Sequence, residues 1–335
     1  MKGLPRLVVT ASPHLKAKAT TPEIMWTVVA SLLPIVAASV YFFGISALFV
    51  VIAATLGAVL TEAALGSKHT LFDGSGSITG ILLGLTLPPG LPVWIAFLGG
   101  AVSIAFGKAI FGGLGHNIFN PALLGRAFLQ AAFPLPMTTW AAPVKNVWAL
   151  AGDTFALPLM QSDAAGMVTS ATPLGLMKFE HVEAAAMPLM LGTTGGSLGE
   201  TSALLILACG AFLAWKGFLN WSTPASILAT VAILSFALDR IDPKYPGPVF
   251  MLFSGGLMLG AVFMATDMVT SPVTNKGRWI FGAGIGVLVV VIRNWGGLPE
   301  AVMYSILLMN ALVPFINRST QPRVFGVERK AKVAA

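Results

Sequence analysis

Thr172 ends a run of small and hydroxyl-bearing residues, Thr169-Ser170-Ala171-Thr172, and is followed by Pro173-Leu174. A threonine hydroxyl in this setting can attack an activated phosphoryl group: Ser170 and Ala171 leave room for an enzyme to approach, and Pro173 fixes the backbone that follows. The same Thr-Pro pair is also an ordinary turn, and on these residues alone both readings stand. A second set of chemistry-bearing groups is ionisable. Glu62, Lys108, Arg126, Asp267 and Arg293 lie in or beside apolar runs. Ionisable side chains in such places are paired, snorkelled or functional. Lys108, Arg126 and Asp267 are the candidates for an ion pathway, with pairing or snorkelling as the alternative for each.

Cys209 is the single cysteine and sits inside an apolar run, so the chain offers no set of thiolates for an iron–sulfur cluster. His14, His69, His116 and His181 are scattered without metal-site spacing. Any redox centre on this chain is therefore expected to be organic, and no metal is expected. The chain also shows no strand–glycine–helix unit for a nicotinamide nucleotide, and no catalytic residue is assigned.

The elements that must position these groups follow from composition. Of 335 residues, 56% are hydrophobic and only 10% charged, with a mean hydropathy of +0.83, whereas soluble domains carry about 25% charged residues. A helix crosses the hydrocarbon core in roughly 20 apolar residues. Candidate spans cover 24–43, 45–65, 78–87, 92–111 and 121–133, then 201–219, 224–238, 248–265, 279–292 and 301–316. The expected fold is thus an all-α polytopic membrane protein of about ten transmembrane helices. Its parts are an N-terminal segment 1–23, a first membrane repeat 24–133, an outer loop 134–200, a second repeat 201–317 and a basic tail 318–335. The first 23 residues hold lysines and an arginine but no apolar run of signal-peptide type, so the first span is expected to be a retained anchor.

Several spans are short or glycine-rich, notably 78–87 and the stretch around Asn120-Pro121, and such broken segments are tolerated only where protein or a cavity shields the backbone. The halves echo one another: Pro92-Val93 precedes Phe97 and Gly99-Gly100, and Pro248-Val249 precedes Phe253 and Gly255-Gly256 at the same offsets. Five spans per half imply two repeats inserted in opposite senses. Lysine and arginine cluster on the side shared by both termini, which the positive-inside rule makes cytoplasmic and which puts 134–200 on the outer, periplasmic face. The net charge of +7 reflects this bias, so the expected partner is the lipid bilayer and not nucleic acid.

Four further stretches carry a family likeness. They are Asp73-Gly74-Ser75 through Leu82-Leu83-Gly84 to Pro88-Pro89, and Lys108 through Gly112-Gly113-Leu114-Gly115-His116-Asn117 to Asn120-Pro121-Ala122. The others are Gly195-Gly196-Ser197-Leu198-Gly199-Glu200-Thr201-Ser202 and Phe263-Met264-Ala265-Thr266-Asp267-Met268-Val269-Thr270-Ser271-Pro272. With the Thr172 element, the chain resembles the RnfD/NqrB family of membrane subunits, the RnfD branch more closely. Ser170 stands where that family has glycine, and Met268 where it has proline.

The resemblance implies the inner-membrane subunit of an ion-translocating ferredoxin:NAD oxidoreductase. A flavin transferase would have joined FMN through its phosphate to Thr172, with Ser170, Ala171 and Pro173 completing the attachment motif. It also implies other complex subunits as partners, among them an FMN-bearing RnfG-type subunit, coupled Na+ or H+ movement, and room for a non-covalent riboflavin. An NqrB-like quinone-reducing subunit is one alternative. A solute channel of the urea/ammonium type, to which the family is similar in fold, is the other, since fold does not settle function.

Overall fold

Thr20 and Glu23 open the first helix reciprocally, each side-chain oxygen accepting from the other's backbone N–H at 3.4 Å. The computed structural model describes residues 19–66, 72–143, 147–148, 150, 154–158, 172–200 and 202–322. Among these, the regular elements are helices. The first half comprises α1 (Thr21–Phe43), α2 (Ile45–Leu65), α3 (Ser75–Thr86), α4 (Val93–Ile104, prolonged by a π-helical turn Ala105–Ala109) and α5 (Pro121–Ala132). Three short helices follow: α6 (Pro134–Thr138), α7 (Pro173–Glu180) and α8 (Ala186–Leu191). The second half comprises α9 (Ala203–Trp215), α10 (Ser222–Ile241), α11 (Pro248–Phe253), α12 (Leu257–Leu259, prolonged by a π-helical turn Gly260–Met264), α13 (Asn275–Trp295) and α14 (Val302–Thr320).

Helix therefore occupies every apolar run expected from the sequence, and the protein is an all-α polytopic membrane protein. Among the described residues four helices, α1, α2, α10 and α13, are long and apolar enough to cross a bilayer unaided. The other spans are shorter or interrupted for local reasons. Helix α3 starts at Gly74, whose left-handed φ of 82° a side chain would strain, and it stops before Pro88-Pro89, which cannot continue the ladder. In the second half the chain breaks at Ser254-Gly255-Gly256, with Gly255 at φ 66°, which separates α11 from α12.

Both halves are built around one close helix pair. Helix α2 packs most extensively on α4, and α10 on α13. A Cβ on Gly57 would run into the Phe97 carbonyl and one on Gly100 into the Ala54 carbonyl. On the other side, Gly282 abuts Ser226 and Gly286 abuts Thr230. Small residues let helices approach in this way where lipid offers no hydrophobic drive between them. The packing makes α4 the counterpart of α13, each pressed on the second helix of its half. The Pro-Val echo in the sequence instead pairs α4 with α11, so it does not mark equivalent helices.

The segment between the halves is fastened to the ends of the first. Val147 O accepts from Ile45 N at 2.8 Å and Thr154 O from Val93 N at 2.9 Å, so the N-termini of α2 and α4 are held by this segment. Leu174 and Met177 of α7 and Leu189 of α8 bury against Phe250 of α11 in a small separate core.

Candidate functional site

Thr172 is the N-cap of α7. Its Oγ1 accepts from Gly175 N at 3.1 Å, its backbone is extended, and Pro173 occupies the first helical position. The residue is 8% exposed, so its hydroxyl is a cap drawn into the surface and not the accessible loop hydroxyl that the sequence implied. Ser170 and Ala171 of the attachment motif lie outside the described residues. A cavity of about 320 Å³ adjoins α7, lined by Leu174, Met177, Lys178, His181, Tyr245 and Trp295 among others. Its walls combine the paired rings of Tyr245 and Trp295, 5.7 Å apart, with three cationic side chains, Lys178, Lys244 and Arg293.

The ionisable residues fall into two groups at different places. Lys108, 4% exposed, binds the Glu62 carboxylate and the Ser75 hydroxyl. Ser75 Oγ in turn donates to Asp73 Oδ1 at 2.5 Å. This chain ties the ends of α2 and α4 to the start of α3. A cavity of about 110 Å³ opens beside it, with Lys108, Asn117, Asn120, Thr266 and Asp267 on an otherwise mostly apolar wall. Asp267 accepts from Thr270 Oγ1 at 3.0 Å and Val269 N at 3.4 Å. Asn120 joins the halves, donating through Nδ2 to Met264 O at 3.0 Å while its Oδ1 caps α5 at Ala122 N.

Arg126 is elsewhere. Its guanidinium donates to Thr86 O at 2.6 Å, at the C-terminal end of α3, and pairs with Glu300. The neighbouring carbonyls of that helix end, Leu85 and Leu87, are taken by the backbone N–H groups of Gly199 and Leu198. A Cβ on Gly199 would meet the Leu85 carbonyl and Leu259, which explains a glycine in this connection. Arg293 performs a parallel task for α11, donating to Met251 O at 2.6 Å and Ser254 O at 2.9 Å. Glu200 lies in the connection before α9 and accepts from Ser197 Oγ at 2.8 Å. Burial, with the Glu300 charge beside it, pushes the Glu200 carboxyl up to about 8, against the Ser197 hydrogen bond and the Arg126 charge.

Lys108 and Asp267 thus share one cavity, whereas Arg126 belongs to a second cluster with Glu200, Arg293 and Glu300. The sequence named Lys108, Glu62 and Arg293 without partners. Glu300 escaped notice because it sits in the short connection between α13 and α14, outside the apolar runs, and only the fold carries it to Arg126, 174 residues away. Glu200 was visible only as the one acid of a glycine-rich motif.

The model of the NQR2, RnfD, RnfE family matches residues 8–326. The chain belongs to this family. It is 43% identical to the D subunit of the ion-translocating oxidoreductase complex of Stutzerimonas stutzeri, covering 94% of this chain and 95% of that one. It is 41% identical to the D subunit of the Na(+)-translocating ferredoxin:NAD(+) oxidoreductase complex of Acetobacterium woodii, covering 98% of each. Identity to the D subunit of the proton-translocating ferredoxin:NAD(+) oxidoreductase complex of Clostridium ljungdahlii is 40%, over 96% of each chain. Likeness of this extent to family members named for different ions places the whole described helical body, and not one motif, within the family.

Proposed function

We propose that this chain is the D subunit of a bacterial ion-translocating ferredoxin:NAD oxidoreductase complex, and that it relays electrons through FMN esterified to Thr172. The observation that carries the reading is the near full-length likeness to D subunits, together with the position of Thr172 at the N-terminus of α7, a helix whose Leu174, Met177 and Lys178 line an amphipathic cavity. A phosphate on this hydroxyl would lie where helix N–H groups and the helix dipole favour an anion. The cavity of about 320 Å³ would take the ring, with Tyr245 and Trp295 on its wall and Lys178, Lys244 and Arg293 supplying positive charge. FMN supplies one- and two-electron chemistry when bound. The chain's own residues cap the attachment helix, shape the cavity and hold the broken helices.

Lys108 and Asp267 line the other, smaller cavity, and with Arg126 they form our candidates for the ion path. The reading also includes a non-covalent riboflavin, for which this cavity of about 110 Å³ is too small. Both termini are placed in the cytoplasm and 134–200 on the periplasmic face of the inner membrane, within reach of a flavin transferase and an RnfG-type partner.

The test is mass spectrometry of the chain expressed with its transferase: the peptide containing Thr172 should carry FMN less one water. An unmodified peptide would remove the relay. Reporters fused after Ala335 and within 141–165 should lie on opposite sides. Purified alone, the chain should be yellow and reducible by dithionite yet should not oxidise NADH. A solute channel would be colourless.

A further inference from the structure

Four charged side chains meet where the two halves touch, between the ends of α3 and α11. The Glu300 carboxylate is committed to Arg126. Arg293 commits both terminal nitrogens to the carbonyls of Met251 and Ser254. Glu200 faces Glu300, with the Ser197 hydroxyl and the Glu300 carboxyl as its side-chain hydrogen-bond partners, while the charges of Arg126 and Arg293 act from a distance. Two buried polar atoms of the residues at this helix break have no hydrogen-bond partner among the described residues, Ser254 Oγ, in a residue with no exposed surface, and Arg293 Nε. Buried polar atoms are ordinarily satisfied, so such atoms point to an occupant or to exchange of partners.

The space available selects the occupant. A cavity of about 30 Å³ lies among Thr86, Arg126, Ser197, Gly256, Arg293 and Glu300, about the room of a single water. A hydrated metal cation does not fit, and two guanidinium groups repel a bare one. Two carboxyl groups brought together away from bulk water do not both ionise freely, and the pairing of Glu300 with Arg126 leaves the proton to the Glu200 side. Glu300 is 26% exposed, which gives that proton a way out.

We propose that Glu200 and Glu300 form a proton-binding site for a single proton, and that Arg126 and Arg293 link its occupancy to the ends of the two interrupted helices. With the proton present, Arg293 is left to the α11 carbonyls. Its departure leaves a carboxylate on Glu200 that competes with those carbonyls for the Arg293 guanidinium. A bound proton therefore tightens the grip on α11, and release loosens it. The site rests on the proposed membership in an ion-translocating complex only for the use the complex makes of it; the chemistry belongs to these four side chains.

Infrared titration of the full chain in lipid nanodiscs tests this. The background variant carries Thr172→Ala, so that no covalent flavin contributes, and Asp267→Asn, which removes the half-buried carboxyl that has no ion-pair partner among the described residues. The expected result is one protonated-carboxyl C=O band at neutral pH, lost as pH rises through about 8, missing in Glu200→Gln and displaced in Glu300→Gln. Absence of a carboxyl titrating in that range in the background chain would overturn the proposal without reference to how the variants fold. So would a band unchanged in both variants. A band abolished at constant pH by sodium ions and not by potassium ions would mark a metal-cation site and equally refute it. Because the flavin has been removed, these outcomes are distinct from a failure of the relay, which the mass of the Thr172 peptide decides.

Discussion

Arg126 and Arg293 do the same work on opposite halves: each places a terminal guanidinium nitrogen 2.6 Å from a carbonyl at the C-terminal part of an interrupted helix, Thr86 O for Arg126 and Met251 O for Arg293. They are not on corresponding helices, since α5 and α13 hold different places in their halves. The common cause is physical. A helix that ends inside the bundle leaves carbonyls without partners, and a guanidinium offers several donors together with a charge that suits the negative end of the helix dipole.

Loss of either arginine should therefore unfold more than a surface ion pair would. Arg126→Met leaves Glu300 and the Thr86 carbonyl without their partner, and breaking buried pairs costs about 3–5 kcal/mol. Arg126→Lys should fall between, since it keeps the charge but not the fork. Denaturant titration in detergent measures this, and a loss below about 1 kcal/mol for Arg126→Met would show that the helix end does not depend on it.

Glu62 and Lys108 should show strong coupling in a double-mutant cycle. Each is 4% exposed, so Lys108→Met alone strands a buried carboxylate at a cost of about 3–5 kcal/mol. Adding Glu62→Gln should restore a large part of it, giving an interaction energy of about 1–3 kcal/mol. Additive single losses would mean the two charges do not depend on one another.

At Thr172, Ala should remove covalent flavin completely and leave the chain folded, at a local cost of about 1 kcal/mol for the lost cap. Thr172→Ser keeps both cap and nucleophile and should retain fluorescence in the gel band. Persistent fluorescence in the alanine variant would move the attachment to Thr169 or Ser170.

Glu200 should impose a pH dependence on stability. Its folded carboxyl, near 8, lies above the ordinary value of 4.5. Its stabilising contribution is present in full below the ordinary value and is lost as pH rises to about 8, because the folded state binds the proton more tightly than the unfolded state does. Glu200→Gln should flatten thermal stability across that window, and an unchanged slope would remove Glu200 as its source.

Glycines should differ sharply in tolerance. Gly100→Ala drives a methyl into the Ala54 carbonyl at the α2/α4 crossing, an overpacking that costs about 1–3 kcal/mol. Gly297→Ala meets nothing within 4 Å and should be nearly silent. Comparable melting temperatures for the two variants would show that the α2/α4 approach is not tight.

The helical body was legible because apolar runs declare themselves, and so was the shortness of α3; the break at Ser254-Gly255-Gly256 was not, since 248–265 read as one apolar span. Pairing was not, because Glu62 meets Lys108 across 46 residues and Glu300 meets Arg126 across 174. The Gly195–Ser202 motif carried only a family likeness in the sequence, whereas its Leu198 and Gly199 amides close the end of α3. That role depends on which carbonyls the fold leaves open, and no local pattern records it. The buried state of Thr172 was hidden for the same reason: a cap is recognisable from Thr-Pro, its burial only from what packs over it.

Lys178, near the other end of α7 from Thr172, donates to the carbonyls of Gly296 and Leu298, the latter at 3.2 Å. The short turn it grasps runs on directly to Glu300. The eight residues of α7 therefore link the Thr172 cap to the turn that leads to Glu300. Were FMN tethered at Thr172 as proposed, it would share one short helix with the side chain that holds the turn presenting Glu300 to Arg126.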